Sequence, residues 1–404
     1  MPRSTLLALL LAATAHAQWS IQQSNTTADL RGIDNVGHGI AWASGSNGTV
    51  LHTTDNGATW LLCKTPPDAE HLDFRGIQAF DATTAIVMSS GKGDLSRLYK
   101  TTDGCQTWKL IFTNPDIDGF WDAFVMTDKN IGMLIGDPIP PSTSQEAGQT
   151  ETPVFPTYHT INGGETWSRN DHEHLHAIAS PNGQALESIF AASNSSFLLL
   201  PYTEIFVTGG IHNGLHYEQY TFEHVTGICP YHNKCDVDQI SGSALASGET
   251  AGGFSVAANW KLGAFPSTPE LRKRPSDSVR HTVVLAGGDY KNPDTSVGTA
   301  SYCDPREIGG GFQGFRCLAA TTPPHGYRSA VAYDALTKTW ITVGPNGTDI
   351  STDDGRNWRA LKPSATDTPD ADQHWNALSL PFVVGPPRRI GILRVEALQQ
   401  PAEK

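Results

Sequence analysis

The stretch Thr53-Thr54-Asp55-Asn56-Gly57-Ala58-Thr59-Trp60 decides the fold, because close copies of it recur along the chain. The copies lie at 101–108, 160–167 and 351–358, and each keeps most of the pattern Ser/Thr-x-Asp-x-Gly-x-Thr-Trp. The pattern is typical of a tight hairpin in which the carboxylate accepts backbone N–H groups, glycine adopts positive φ and tryptophan packs between neighbouring sheets. A recurring unit of this kind indicates a repeat architecture.

The repeat is known as the Asp box, and a second repeated feature precedes it by about twenty residues. This feature is a short apolar strand that opens with an aromatic residue or leucine followed by one polar residue. The seven copies begin at Leu30, Phe74, Trp121, Leu186, Phe254, Tyr327 and Trp375. Each is followed by a second β-rich segment, for example 40–45, 281–287 and 339–344. Two strands, a box hairpin and an outer strand make one blade, so the sequence predicts an all-β, seven-bladed β-propeller with Asp-box hairpins.

The seventh blade lacks its own outer strand, because the segment after Trp375 ends near Val395 without a box hairpin. Trp19-Ser20-Ile21-Gln22 resembles the strand that follows the first box, Trp60-Leu61-Leu62. We therefore expect the N-terminal strand to become the outer strand of blade seven and to close the ring, which leaves no unpaired sheet edge there.

The first 17 residues have the pattern of a secretory signal. They contain Arg3, an apolar run from Leu6 to Ala13, and the small-residue exit Ala15-His16-Ala17. Cleavage before Gln18 would deliver a secreted or periplasmic protein. The expected organisation is a signal peptide at 1–17, a single propeller at 18–398 and a tail at 399–404, with no membrane span.

Export makes the six cysteines candidates for disulfides. Cys229 with Cys235 and Cys303 with Cys317 would close local loops in blades four and five, whose box hairpins are degenerate, and Cys63 would pair with Cys105 by elimination. Four N-x-S/T triplets offer glycan acceptors if the host is eukaryotic. They are headed by Asn25, Asn47, Asn194 and Asn346.

The net charge argues against nucleic-acid binding, and the sequence context of two weak motifs argues against a zinc site and a dinucleotide site. The chain has 28 basic and 41 acidic residues, a net charge of −13, so we expect no nucleic-acid partner. His172-Glu173-His174-Leu175-His176 fits a zinc motif by spacing, but Pro181 soon ends any helix, and a solvated loop is expected. The glycine run 309–314 is expected to form a hairpin tip rather than a dinucleotide site. We expect a monomer with no cofactor and no metal.

The innermost strands supply the candidate site. If all seven share one register, the second residue of each converges at one mouth of the central channel. These residues are Arg31, Arg75, Asp122, Glu187, Ser255, Arg328 and Asn376. Such a ring could bind an anionic or sugar ligand, with arginines as bidentate donors and Asp122 or Glu187 as acid and base. A self-neutralising ring of ion pairs that fills the axis is the alternative, and both hypotheses stay open.

From Trp19 to about Val395 the chain resembles the exported bacterial relatives of the plant photosystem II stability/assembly factor, within the BNR, sialidase-like propellers. The resemblance rests on 30–32, 99–108 with 112–116, 136–138, 287–294 and 326–331. It implies a protein that assists assembly through an arginine-lined face, here Arg31, Arg75 and Arg328, without catalysis.

Two functional hypotheses follow. The first is a binding or assembly protein that holds a polypeptide or a small anion at the channel mouth. The second is a sialidase-like glycoside hydrolase or a polysaccharide lyase, with Glu187 or Asp122 as acid/base. We prefer binding, because the Arg-Ile-Pro motif of sialidases does not occur and the neighbours Tyr327 and Arg328 should alternate in direction along a strand.

Overall fold

The computed structural model describes residues 18–140, 152–170, 175–200, 203–219, 238–259, 281–308, 311–361, 367–368 and 370–398. Several sequence predictions concern residues outside these ranges. They are the signal segment 1–17, the Cys229–Cys235 pair, His172 to His174, Gly309 with Gly310, and the tail 399–404.

Seven small antiparallel sheets form a ring in the described part of the chain, so the predicted seven-bladed β-propeller is confirmed. From the inside outwards, blade one contains Leu30–Gly37, Ile40–Gly45, Thr49–Thr53 and Leu61–Leu62. Blade two contains Phe74–Ala79, Ala85–Ser89, Arg97–Thr101 and Lys109–Thr113. Blade three contains Trp121–Met126, Gly132–Gly136, Thr157–Thr160 and Ser168–Arg169.

Blades four to seven follow the same plan. Blade four contains Phe197–Leu200, Thr203–Val207, Gly214–Gln219 and Asp238–Gly242, and two short strands, Glu187–Ser188 and Gly209–Gly210, join it to blade five. Blade five contains Gly248–Ala258, Val283–Asp289, Ala300–Ile308 and Gly311–Ala319. Blade six contains Ala330–Asp334, Thr339–Gly344, Gly347–Ser351 and Arg359–Leu361. Blade seven contains Ala377–Ser379, Phe382–Gly385, Arg389–Leu393 and Trp19–Gln22. The α-helix Val395–Leu398 and the 3₁₀ turns Gly93–Leu95 and Asn194–Ser196 complete the elements.

The four repeated octapeptides form the hairpins expected of them. Asp55 accepts the backbone N–H of Thr59 at 2.9 Å and its hydroxyl at 2.6 Å, and Thr53 accepts the N–H of Gly57 at 3.0 Å. The two backbone bonds recur in the hairpins of Asp103, Asn162 and Asp353. Trp60 packs edge-on against Phe382 of blade seven, with the ring centroids 5.7 Å apart. The repeats therefore serve the turns and the packing between blades.

The N-terminal strand closes the ring, as predicted. Trp19 to Gln22 pair antiparallel with Leu393 to Ile390. The Trp19 side chain is 2% exposed and its indole N–H donates to Thr348 Oγ1 at 2.9 Å and to Asp372 Oδ1 at 3.1 Å. The two ends of the chain are thereby joined in one sheet.

Two of the three expected disulfides lie in the described residues and both are present. Cys63–Cys105 connects blade one to the hairpin of blade two, with the Cα atoms 5.4 Å apart. Cys303–Cys317 joins directly opposed residues of the outer hairpin of blade five. Within the described ranges, no helix has the length and apolar character needed to cross a membrane.

Candidate functional site

A one-residue β-bulge interrupts four of the described inner strands, near the start in blades one, two and three and in the middle of the strand in blade five. In blade one, Leu30 pairs with Gly45 and Gly32 pairs with Ser44, so Arg31 between them is left without a partner in the ladder. Bulges re-aim a side chain and often lie beside functional sites. The residues in the equivalent bulges of blades two, three and five are Arg75, Asp122 and Phe254. The expected shared register therefore holds for Arg31, Arg75 and Asp122.

Glu187 does not share this register, and the sequence prediction is wrong there. Glu187 pairs with Gly210, as Leu30 pairs with Gly45 in blade one, so it occupies the position one residue before the bulge. A shift of one residue along a strand turns the side chain to the other face of the sheet. Its buried carboxylate accepts the N–H of Ile178 at 2.7 Å and the hydroxyl of Thr208 at 2.6 Å, and it lies 3.0 Å from His216 Nε2. Burial alone would raise the pKa of Glu187, but the His216 hydrogen bond and charge outweigh it and leave the pKa lowered.

Arg328 is also displaced from the predicted register. Its guanidinium is fully buried, and Arg328 precedes the inner strand of blade six, which begins at Ala330. Arg328 Nε donates to Asp349 at 2.9 Å, and Nη1 donates to Asn346 Oδ1 at 2.6 Å. Burial would raise the pKa of Asp349, yet the bond from His325 and the charge of Arg328 hold it below its usual value. Arg328 thus stabilises blade six from within.

Ser255 and Asn376 join neighbouring blades. Ser255 pairs with Ala286 and so lies one position beyond the bulge, which corrects its predicted register. Its hydroxyl accepts the N–H of Val331 at 3.0 Å, and the Asn376 amide donates to the carbonyl of Leu30 at 2.9 Å. These bonds satisfy backbone groups on the inner strand edges, which have no further strand to pair with.

Arg31, Asp73 and Arg75 form what we call the arginine cluster. Arg31 Nε lies 3.1 Å from one carboxylate oxygen of Asp73, and Arg75 Nε lies 2.8 Å from the other. The three side chains are 31%, 26% and 27% exposed, so solvent and ligands can reach them. Sequence analysis missed Asp73, although it directly precedes the strand that carries Arg75. One carboxylate against two guanidiniums leaves a net positive charge.

Two buried carboxyl groups lie behind Arg75. Asp122 is fully buried and neither carboxylate oxygen has a hydrogen-bond partner of normal geometry among the described residues. Burial and the neighbouring charge of Asp137 raise its pKa well above the usual value, against the opposing effect of Arg75. Asp137 accepts the N–H of Ile189 at 2.9 Å, and burial raises its pKa to about 7. Asp137 lies in the segment 136–138 that carries the family resemblance, but no repeated pattern in the sequence marks it as a site residue.

A segment of blade four crosses the centre of the ring. This crossing segment, residues 189–196, interrupts the inner strand of its own blade and contacts the inner strands of blades two, three and five. Arg75 Nη1 donates to the carbonyl of Ala191 at 2.9 Å. The Asn194 side chain accepts the N–H of Phe124 at 2.9 Å and donates to its carbonyl at 2.6 Å. Side-chain hydrogen bonds therefore hold the crossing segment against blades two and three.

Four aromatic side chains form a cluster, and one of them, Phe190, belongs to the crossing segment. Phe254 lies at the centre of this aromatic cluster, with ring centroids 4.6 Å from Phe190, 6.1 Å from Tyr290 and 4.8 Å from Tyr327. Tyr290 is 47% exposed. Burial raises the pKa of Tyr327, and the charge of Arg31 acts on the same phenol in the opposite direction. Arg75 Nη1 donates to the carbonyl of Ala191, which directly follows Phe190, so the aromatic cluster and the arginine cluster are neighbours.

The described residues include no group of three or more His, Cys, Asp and Glu side chains placed to hold a metal ion. Of the zinc-like motif, His176 pairs through its backbone with Val154 in a single β-bridge. The remaining histidines of the motif lie outside the described residues.

Comparisons with known proteins identify the fold. No protein-family model and no curated protein matches the sequence. Two similar solved structures are of YCF48, a seven-bladed photosystem II assembly factor. "YCF48 bound to D1 peptide" is 14% identical, with a TM-score of 0.52 over 94% of this chain and 97% of that one. YCF48 from Cyanidioschyzon merolae is 15% identical, with a TM-score of 0.53 over 94% and 100%. The resemblance expected from the sequence is thus confirmed at the level of the fold.

Proposed function

We propose that this chain is an exported, non-enzymatic propeller that binds a polypeptide at the arginine cluster and the neighbouring aromatic cluster. The observation that carries the proposal is the pair of partly exposed guanidiniums, Arg31 and Arg75, on either side of the single carboxylate of Asp73. Guanidinium groups bind carboxylates through paired hydrogen bonds, and the exposed ring of Tyr290 supplies apolar contact area. A peptide with a free carboxylate or an acidic side chain next to an apolar one has the matching chemistry.

Three further observations support the proposal. The cationic cluster stands out against a chain of net charge −13, which favours local rather than general attraction of anions. One similar solved structure, at the level of the fold, contains a bound peptide. The apparent signal at 1–17 and the two disulfides are compatible with export.

The test compares two random peptide pools of the same length and composition, one ending in a free carboxylate and the other in an amide. Wild-type protein is expected to retain peptides from the free pool preferentially. The double variant Arg31→Gln/Arg75→Gln should lose at least tenfold in affinity for them, because both guanidiniums are removed. Arg316→Gln, on the exposed outer strand of blade five, is the matched control and should bind like wild type. Equal binding by all three proteins would defeat the proposal.

A glycoside hydrolase or polysaccharide lyase is the second candidate, and one observation favours it. The raised pKa values of Asp122 and Asp137 are a property of general acids. Against it, Glu187 is fully buried and has three internal partners, and Asp122 is fully buried as well. A panel of glycans and uronates assayed with wild type, Glu187→Gln and Asp122→Asn discriminates between the candidates. Turnover that either substitution abolishes in folded protein would replace the binding proposal with the enzymatic one.

A further inference from the structure

The four N-x-S/T triplets fall into two structural classes. Asn25 and Asn47 are exposed, whereas Asn194 and Asn346 are partly buried. The hydroxyl residue two positions later follows the same division. Thr27 is exposed and Thr49 is partly accessible, but Ser196 and Thr348 are completely buried. A glycan acceptor in a folded protein must lie at the surface.

Asn194 and Asn346 use their amides to hold the fold together. Asn194 makes two hydrogen bonds to the backbone of Phe124, which anchor the crossing segment to blade three. Asn346 accepts from Arg328 Nη1 at 2.6 Å and donates to the carbonyl of Pro293 at 3.1 Å. A glycan on either amide nitrogen would remove a donated hydrogen bond and require space inside the protein.

Asn47 has the opposite environment. It lies at the tip of a turn with φ of 58°, and its two neighbours are fixed by backbone bonds, Ser46 N–H to Asp29 and Gly48 N–H to Leu72. The turn is therefore held while the Asn47 side chain extends into solvent. Asp29 lies two residues before Arg31, and Leu72 directly precedes Asp73. A group on Asn47 would therefore border the arginine cluster.

Asn25 lies in the connection between the outer strand of blade seven and the inner strand of blade one. Its amide has one long contact, 3.5 Å, to the carbonyl of Trp60. It lines an open surface cavity of about 880 Å³ together with His374 and Arg388. A glycan can leave this position without displacing a buried group.

We propose that Asn25 and Asn47 are N-glycosylation sites and that Asn194 and Asn346 are structural asparagines that stay unmodified. In the reaction, the asparagine Nδ2 forms a bond to C1 of the first sugar of a lipid-linked oligosaccharide. The lipid pyrophosphate leaves, and the amide gives up one proton. The proposal rests on the proposed export of the chain into a compartment that contains this donor.

The test expresses residues 18–404 behind the leader of a eukaryotic secretory host, so the result does not depend on whether residues 1–17 act as a signal. Peptide mapping after enzymatic release of glycans in heavy-oxygen water marks each formerly occupied asparagine by its conversion to aspartate. Marks are expected at Asn25 and Asn47, and Asn25→Gln and Asn47→Gln should each lose the mass of one glycan. Asn194→Gln and Asn346→Gln should keep both glycans but melt at a lower temperature.

A mark at Asn194 or Asn346 in secreted, folded protein would overturn the proposal, as would an unmodified Asn25 or Asn47. Thr49→Ala serves as a second variant that leaves Asn47 in place and should remove the same glycan. Peptide binding plays no part in the readout, so failure here is distinguishable from failure of the proposed function.

Discussion

Arg75 Nη1 donates a hydrogen bond of 2.9 Å to the main-chain carbonyl of Ala191, and this bond links blade two to the segment of blade four that crosses the ring. The same guanidinium lies 2.8 Å from the carboxylate of Asp73. Arg75 therefore has one contact that faces the proposed ligand site and one that fixes the centre of the fold.

The double role of Arg75 predicts a stability difference between the two arginines of the cluster. Arg75→Gln should lower the free energy of unfolding by about 1 kcal/mol, because it loses a partly exposed hydrogen bond from a charged group. Arg31→Gln, which loses only the contact with Asp73, should cost less than about 0.5 kcal/mol. Urea unfolding followed by tryptophan fluorescence measures both. An equal effect of the two substitutions would contradict the assigned contact with Ala191.

Ring closure predicts an unequal cost for two substitutions on the same strand. Trp19→Ala should destabilise the protein by about 3–5 kcal/mol, because it empties a buried site and removes a donor to Thr348 and Asp372. Ile21→Ala, at a side chain that is 48% exposed, should cost less than about 1 kcal/mol. Thermal melts compare the two variants. Similar melting temperatures would mean that the N-terminal strand does not close the ring.

The buried pair Glu187–His216 predicts a stability loss that depends on pH. Glu187→Gln should cost about 3 kcal/mol at pH 7, because it disrupts the hydrogen bonds of a buried carboxylate with three partners. The pKa of Glu187 is lowered in the fold, so its contribution is present above the unfolded value of about 4.3 and is lost as the pH falls through the native value. The gap between variant and wild type should therefore shrink on acidification.

Melts from pH 3 to 7 measure this gap. Glu165→Gln, at a carboxylate that is 43% exposed and pairs with Lys100 and Lys109, is the surface control and should cost below about 1 kcal/mol. A Glu187→Gln effect that stays constant across the pH range would argue against a lowered pKa of Glu187 in the fold.

The buried carboxyl group of Asp137 predicts a pH dependence of stability opposite in sign to that of Glu187. Its pKa is raised to about 7 by burial, so the native state binds a proton more tightly than the unfolded chain. The contribution of Asp137 to the free energy of unfolding should fall as the pH rises from about 4 to about 7 and then level off. Asp137→Asn keeps an acceptor for the Ile189 N–H and removes the titration, so relative to wild type it should gain about 4 kcal/mol between pH 4 and pH 8.

Asp68→Asn, at an exposed position, is the surface control for the substitution itself and should melt within about 0.5 kcal/mol of wild type at pH 7. If Asp137→Asn and wild type melted in parallel at all pH values, the carboxyl group of Asp137 would not be held in its protonated form by burial.

The blade count and the ring closure could be predicted because both depend on repeated local chemistry. The hairpin around Asp55 uses side-chain bonds that only its residue types can make, and Trp19 repeats the pattern of the strands that follow such hairpins. Arg31, Arg75 and Asp122 were placed in one register because their strands all begin with the same kind of residue, one position before the bulge.

The register of Glu187, Ser255 and Arg328 could not be predicted from the same signal. In blade five the aromatic residue itself, Phe254, occupies the bulge, and in blade six Tyr327 lies before the strand rather than in it. A bulge adds one residue without changing composition, so apolar patterning does not locate it. The crossing segment could not be predicted either, because its position depends on contacts with three other blades rather than on its local sequence.

The central claim is that a polypeptide binds where the arginine and aromatic clusters meet, and photo-crosslinking tests it most directly. A benzophenone amino acid in place of Tyr290 should capture peptides from the free-carboxylate pool, and Arg31→Gln/Arg75→Gln should abolish the capture. The same group in place of Ile161, which is 70% exposed on the hairpin of blade three, should capture none. Equal capture at both positions, or none at position 290 by protein that binds the pool, would contradict the claim.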